Sequence, residues 1–221
     1  MFCAQCAALI VMSSDNKGLE NTLGLVMAAG FSRRFGEQDK RCAEYAGTTL
    51  LSASLSNLLP AFRTPAGKYQ LTVVIRPEDS PQDLGIPAEC TVIRAPSAAQ
   101  GLSASIADAV TEINLDMQWQ QITSLALMLG DMPEIKQQTI ALLRRQATEH
   151  NIVRPVFQQQ PGHPVLFGRT FWTQLMKGTD DQGGRQVIKN TPDSFLAIAT
   201  NDAGVIYDID TPQQIKVTAT D

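Results

Sequence analysis

After residue 22, short apolar runs and helix-like stretches take turns almost to the end of the chain, with no internal repeat and no low-complexity tract. That alternation is the pattern of an α/β domain, whose helices cover a mostly parallel central sheet. Residues 23–28 (LGLVMA) form a continuous apolar run closed by Gly30, as expected of a strand buried on both faces. Residues 71–75 (LTVVI) and 90–93 (CTVI) are β-branched runs between proline-bearing turns, and residues 124–129 (SLALML) are the most apolar strand candidate, expected at the sheet centre. Residues 152–157 and 165–167 read as strands flanking a QQQPG turn, and 195–200 and 205–207 as further extended segments. Helical pattern covers 49–59, stopped by Pro60, then 102–113, 136–150, 171–176, 185–189 and 211–217.

The chain has 221 residues, 43% hydrophobic and 18% charged, enough for one large domain with a substantial core. A net charge of −4 argues against nucleic acid or an anionic membrane as a partner, so any anion site has to be local. The apolar run 2–12 is too short to span a bilayer and lacks a leading basic residue, which predicts a non-exported, cytoplasmic protein. Residues 1–22 read as a leader, with Met12 as an alternative start, and 23–221 as the folded domain. Of four cysteines, only Cys3 and Cys6 have ligand-like spacing, and no second pair completes a zinc site. They read as free thiols in a tail.

The first strand runs into Ala28-Ala29-Gly30-Phe31-Ser32-Arg33-Arg34-Phe35-Gly36, followed by Lys40-Arg41. Small residues let a backbone approach a base or a phosphate, and Arg and Lys offer charge-assisted hydrogen bonds to phosphate oxygens. In an open α/β sheet such a loop sits at the ligand crevice. The loop reads as an anion site or as a solvated charged loop. The glycine spacing fits neither a dinucleotide fingerprint nor a P-loop. Asp131 follows the most apolar strand, and Asp210 follows the expected strand 205–207 in Asp208-Ile209-Asp210-Thr211-Pro212. Two carboxylates at strand ends facing a basic loop suit Mg²⁺ with a phosphate ligand. Asp210 also reads as an N-cap for the helix at Thr211, and Asp208 is expected on the same face as Asp210. His163, in a Pro-Gly-His-Pro turn, reads on its own as a packed turn residue.

These segments together resemble a known family. LVMAAGFSRRFG-x-x-x-K is similar to the L-x-A-[AG]-G-x-S-x-R-[MF]-G-x-x-x-K signature of the MobA-like nucleotidyltransferases, in particular the molybdenum cofactor cytidylyltransferases. Gln100-Gly101-Leu102-Ser103-Ala104-Ser105, Gly130-Asp131-Met132-Pro133, Pro161-Gly162-His163-Pro164 and Asp208-Ile209-Asp210-Thr211-Pro212 match further family segments in order. The resemblance spans Leu23 to about Ile215. It implies a single Rossmann-like domain of the nucleotide-diphospho-sugar-transferase type, with a mostly parallel sheet flanked by helices.

The same resemblance implies transfer of CMP from CTP to the phosphate of the molybdenum cofactor, with Mg²⁺ and release of pyrophosphate. Ala28, Ala29, Gly30 and Ser32 match the nucleotide cradle, Arg34 and Lys40 the phosphate-binding cations, and Gly101 and Ser103 the loop at base and ribose. Asp131 and Asp210 match the metal ligands. His163 and Arg185 fall at the acceptor pocket, although Asp180 stands where the family carries glycine ahead of Asp181-Gln182-Gly183-Gly184-Arg185. The Ala28-Ala29 doublet is similar to the cytidylyl branch, whereas the guanylyl branch carries a second glycine. A GTP-using relative, a transferase for another phosphorylated acceptor, and a non-catalytic accessory protein for a molybdoenzyme are the alternatives. A molybdoenzyme or its insertion chaperone is the implied protein partner.

Overall fold

The computed structural model describes residues 18–32, 35, 38–178 and 183–218. Cys3, Cys6, Met12, Arg33 and Arg34 lie outside the described residues. Strand β1 (Thr22–Met27) is buried along its whole length, and its side chains alternate between two cores. Leu23, Leu25 and Met27 face a core shared with helix α2 (Leu102–Leu115), whose Ile106, Ala109, Val110 and Ile113 supply the facing stripe. Val26 and Ala28 face the other core, with Leu51, Leu55 and Leu58 of α1 (Leu50–Leu58) and Ile140 and Leu143 of α3 (Gln137–Gln146). A period of two along the strand and 3.6 along the helices is what fills both sides of one sheet.

Strands β2 (Glu44–Tyr45) and β3 (Thr48–Thr49) make a small antiparallel hairpin apart from the main sheet. The main sheet takes β4 (Leu71–Ile75), β5 (Thr91–Arg94), β6 (Ser124–Leu129), β7 (Ile152–Phe157), β9 (Val165–Gly168) and β10 (Phe195–Ala199). Its order is β10-β7-β9-β6-β1-β4-β5, with β8 (Gln160–Pro161) paired to β7. The β1 pairs with β4 and β6, β4 with β5, and β10 with β7 are parallel, whereas β9 runs antiparallel to both neighbours. The most apolar strand, β6, is central as its composition predicts.

From β1 the chain goes out to β4 and β5 on one side and returns to β6 on the other. This divergence is the topological switch at which a crevice opens beyond the carboxyl ends of the strands. Gly130 lets the two strand ends close up: a Cβ there would meet Leu51 Cδ1 at 2.9 Å and the Met27 carbonyl oxygen at 3.3 Å.

Some expected bounds shift. The helix expected to stop at Pro60 continues as a 3₁₀ turn, Leu59–Phe62, with the proline tolerated at its start. Strand β1 begins at Thr22, and contacts reach into the last residues of the expected leader. The Asn21 carbonyl accepts the N–H of Thr123 at 2.9 Å, and Arg144 donates to the Leu19 carbonyl.

The clearest correction is at 205–207, expected to be extended. Ala203–Ile206 is a 3₁₀ turn, so Asp210 does not end a strand. Asp202 explains the difference, because its buried carboxylate accepts the N–H groups of Gly204 (3.0 Å) and Lys136 (2.9 Å) and the Thr139 hydroxyl (2.7 Å). A side chain that takes the orphan N–H of a tight turn favours that turn over a ladder. Val205 then packs fully buried beneath the sheet.

Candidate active site

The crevice has a volume of about 640 Å³ and is lined by Met27–Ser32 after β1, Gln100–Leu102 before α2, Leu129–Asp131 after β6, and by Lys40, Asp208 and Asp210. At Gly30 a Cβ would meet nothing within 4 Å, so the turn presents bare backbone to open space. Ser32 has φ 46° and accepts the Phe35 N–H on its carbonyl at 2.8 Å. Gly101 opens α2 with φ 112° and ψ −176°, a conformation that a residue with a Cβ rarely adopts. The amino end of a 14-residue helix therefore faces the crevice, where its unpaired N–H groups favour an anion.

Lys40 lies at the centre of the charged part. It begins a 3₁₀ turn, Lys40–Cys42, capped by Asp39, and is only 8% exposed. Its Nζ donates to Asp131 Oδ2 at 2.5 Å and to Asp210 Oδ1 at 3.0 Å. Burial alone lowers the Lys40 pKa, but Asp131 and then Asp210 more than offset it and hold the ammonium above its ordinary value. Burial pushes the Asp131 pKa up and Asp208 adds to the rise, against the opposing pull of Lys40. Asp131 Oδ1 is buried with no hydrogen-bond partner among the described residues. That oxygen is an available hard ligand.

Asp210 reaches the crevice without a strand. Ile209 is fully buried with Phe35 and Leu50, its N–H donates to the Asp131 carbonyl at 3.1 Å, and Asp208 and Asp210 on either side of it both line the crevice. The helix after Asp210 begins at Pro212, one residue later than expected. Gln214 reaches back from α6 (Pro212–Thr218) to take the N–H groups of Asp210 and Thr211, both at 2.8 Å, as in a capping box.

The basic loop resolves into separate parts. Arg33 and Arg34 lie outside the described residues, Lys40 turns to the carboxylates, and Arg41 is not a free cation. Its guanidinium is engaged by Asp39, Asp79 and the Ala28 carbonyl.

Ser103, expected at base and ribose, turns elsewhere. It lines a separate cavity of about 270 Å³ formed with α4 (Trp172–Leu175) and α5 (Arg185–Asn190), and its hydroxyl accepts the Gly183 N–H at 2.8 Å. Leu102 and Ser105, three positions apart on one helix face, line the crevice, and Ser103 lies about 100° round from Leu102.

His163 donates its backbone N–H to the Val205 carbonyl at 2.7 Å, and its Nδ1 lies 3.5 Å from the Leu127 carbonyl oxygen. Burial pushes its pKa down to about 4, helped by the charges of Arg154 and then Arg185. Arg185 opens α5 and is exposed, so these two expected acceptor residues share one electropositive neighbourhood. Arg154 belongs to it too, donating from Nε to the Gly162 carbonyl at 2.9 Å. The sequence signal for Arg154 was a cation inside the apolar run IVRPVF.

Among the described residues no helix is long and apolar enough to cross a membrane. A search of curated proteins found no match to the sequence. Among solved structures, the chain is similar to the Rv0371c homologue of Mycobacterium sp. strain JC1, at 27% identity and TM-score 0.74, covering 90% of this chain and 95% of that one. Rv0371c of Mycobacterium tuberculosis in complex with manganese matches at 21% identity and TM-score 0.65, over 89% and 97%. Molybdopterin-guanine dinucleotide biosynthesis protein A of Archaeoglobus fulgidus matches at 18% identity and TM-score 0.62, over 88% and 95%. The model of the MobA-like NTP transferase domain matches residues 24–195. With its α/β sheet and a carboxylate-lined crevice at the switch point, the chain belongs to the family of MobA-like NTP transferase domains.

Proposed function

We propose that the protein transfers CMP from CTP to the phosphate of the molybdenum cofactor, releasing pyrophosphate. The observation that carries this reading is Lys40 bridging Asp131 and Asp210 beside the bare backbone of Ala28–Gly30. A buried cation-and-carboxylate group next to an N–H-rich turn suits a triphosphate. It has no evident use in a binding accessory.

In the reaction an oxygen of the acceptor phosphate attacks the α-phosphorus of CTP. A new phosphorus–oxygen bond forms as the bond to pyrophosphate breaks, and the chemistry asks for alignment and charge neutralisation more than for an acid or base. Gly30 and Ser32 bring backbone to the triphosphate, the amino end of α2 at Gly101 favours its negative charge, and Lys40 moves from the carboxylates to the outer phosphates. Arg34 supplies a second cation by its match to the signature.

Asp131 and Asp210 would hold Mg²⁺. The unpartnered Asp131 Oδ1 and the crevice-lining Asp210 carboxylate are hard oxygen donors of the right kind. Bound there, Mg²⁺ offsets triphosphate charge and makes the α-phosphorus more electrophilic. That the similar Rv0371c structure is a complex with manganese supports a divalent metal as the cofactor.

His163, Arg154 and Arg185 lie on the β7 side, where a phosphorylated acceptor would approach. A half-buried, neutral His163 donates or accepts hydrogen bonds without adding charge, leaving the arginines to grip phosphate. The Ala28-Ala29 doublet supports cytosine over a purine. This reading makes the protein a cytoplasmic enzyme that serves a molybdoenzyme.

The test is metal-dependent pyrophosphate release from each of the four ribonucleoside triphosphates, with and without molybdenum cofactor. Release that requires both CTP and the cofactor supports the reading. GTP preference moves it to the guanylyl branch. Triphosphate binding without turnover on any phosphorylated acceptor leaves a binding module instead.

A further inference from the structure

At the wall of the crevice, which Arg41 helps to line, two arginines and two aspartates are linked in a way that the transfer reaction does not itself require. Arg41, 6% exposed, donates from Nη1 to the Ala28 carbonyl at 2.8 Å. The same guanidinium holds Asp79 through Nη1 (2.5 Å) and Nη2 (2.8 Å), and Asp39 through Nε (2.9 Å) and Nη2 (2.6 Å). Arg76 donates to the Ala29 carbonyl at 3.4 Å and to the Gly30 carbonyl, and lies 4.3 Å over the Phe31 ring. Asp79 also takes the Arg76 N–H at 2.8 Å, and Asp39 lies 3.6 Å from Arg76 Nη1. The carbonyls of three consecutive turn residues are therefore each taken by a guanidinium.

In a trans peptide the carbonyl and the following N–H point to opposite sides. Fixing the carbonyls of Ala28, Ala29 and Gly30 therefore turns the N–H groups of Ala29, Gly30 and Phe31 away from the arginines. No backbone acceptor among the described residues takes those three N–H groups. All three residues line the crevice.

The charge balance shows how such a group acts. Two guanidiniums against two carboxylates is neutral, so the lattice adds no net attraction for a triphosphate. Burial pushes the carboxyl pKa values of Asp39 and Asp79 up, but hydrogen bonds and charge from Arg41 prevail and hold both below the ordinary range. Buried ion pairs contribute little net stability relative to apolar packing, yet they impose direction on their partners. Asp39 also caps the turn that carries Lys40, so one lattice orients both the bare backbone and the site's central cation.

We propose that Arg41 and Arg76, locked by Asp39 and Asp79, are positioning residues that aim the N–H groups of Ala29, Gly30 and Phe31 at the nucleotide. The proposal rests on the reading of this crevice as the CTP site. It assigns a role to Arg76 and Asp79, which lie outside the segments that match the family signature.

The experiment measures CTP binding by calorimetry, without acceptor, for wild type, Arg76→Ala, Arg76→Lys and Asp79→Asn, with thermal melts alongside. Arg76→Ala is expected to weaken binding about tenfold or more, as the loss of directed hydrogen bonds does, with a melting temperature close to wild type. Arg76→Lys, which keeps one donor, is expected to recover part of the loss. Asp79→Asn, nearly isosteric, is expected to weaken binding about fivefold by loosening the Arg41 guanidinium and the backbone N–H of Arg76, both of which Asp79 holds. In steady state the loss appears in KM for CTP more than in kcat. Wild-type affinity in both Arg76→Ala and Asp79→Asn would overturn the proposal, as would losses that only track the unfolded fraction. Failure of wild type to bind CTP would overturn the reading of the crevice instead, so the two failures are told apart.

Discussion

The backbone N–H of Ile209 donates to the carbonyl of Asp131 at 3.1 Å, joining two carboxylate-bearing segments that lie far apart in the chain. Asp131 is placed by the strand before it. Asp210 is placed by this hydrogen bond, by the Gln214 side chain that takes its own N–H at 2.8 Å, and by the burial of Ile209 against Phe35 and Leu50.

Packing at Ile209 is therefore predicted to control chemistry. Ile209→Ala removes a fully buried side chain and should cost about 2–4 kcal/mol of stability, as core truncations do. Activity at saturating CTP should fall more than tenfold at temperatures where the variant is still folded, because Asp210 loses its anchor. Denaturant melts and initial rates check both; a fully active variant would free Asp210 from this dependence.

Lys40→Ala should have opposite effects on two ligands. Its ammonium bridges Asp131 and Asp210, so its removal exposes two carboxylates and should raise affinity for bare Mn²⁺ by about tenfold. CTP binding should weaken far more than CMP binding, since the lost cation serves the outer phosphates. Spin-resonance titration of Mn²⁺ and calorimetry of the two nucleotides supply the readings. Equal losses for CTP and CMP would place Lys40 away from the outer phosphates.

Asp131→Asn keeps the shape of the side chain and removes its charge. Burial disfavours the Asp131 carboxylate whereas its ion pair with Lys40 favours it, so the two effects oppose and the variant is expected to remain folded in a thermal melt. Turnover should drop by about a thousandfold or more, the scale on which transition-state electrostatics act. Retention of more than a few per cent of activity would remove Asp131 from the reacting centre.

Acid should cost stability through His163. Its pKa is pushed from the ordinary 6.5 to about 4 in the folded chain, so the unfolded chain takes up the proton first. The contribution is fully present above about pH 6.5 and is lost as pH falls from there toward 4, at most about 3 kcal/mol in all. Denaturation midpoints for wild type and His163→Gln between pH 7 and 4 should converge as pH falls. Parallel curves would show that His163 is not the group responsible.

Much of the layout was legible from residue order. The runs LTVVI, SLALML and IVRPVF are strands with the bounds their composition indicates. Asp131 follows a strand because a fully apolar run ending in Gly-Asp has one sensible exit. The basic loop was legible as a loop, but not in its parts. Lys40 and Arg41 are adjacent and chemically alike, yet one is held by the crevice carboxylates Asp131 and Asp210 and the other is locked to Asp39 and Asp79.

Periodicity, the alternation of strand and helix, and hence which loops gather at the carboxyl ends of the strands follow from neighbours along the chain and are readable in residue order. Tertiary structure decided the rest. Asp202 caps the turn at residues 203–206 through the Gly204 N–H and is itself fixed by the Lys136 N–H and the Thr139 hydroxyl, more than sixty positions away. The register of α2 turned Ser103 aside from the crevice, and the buried Ile209 carried Asp210 to Lys40. Each of these outcomes depends on partners distant in the chain, whose contribution exists only once the chain has closed around them.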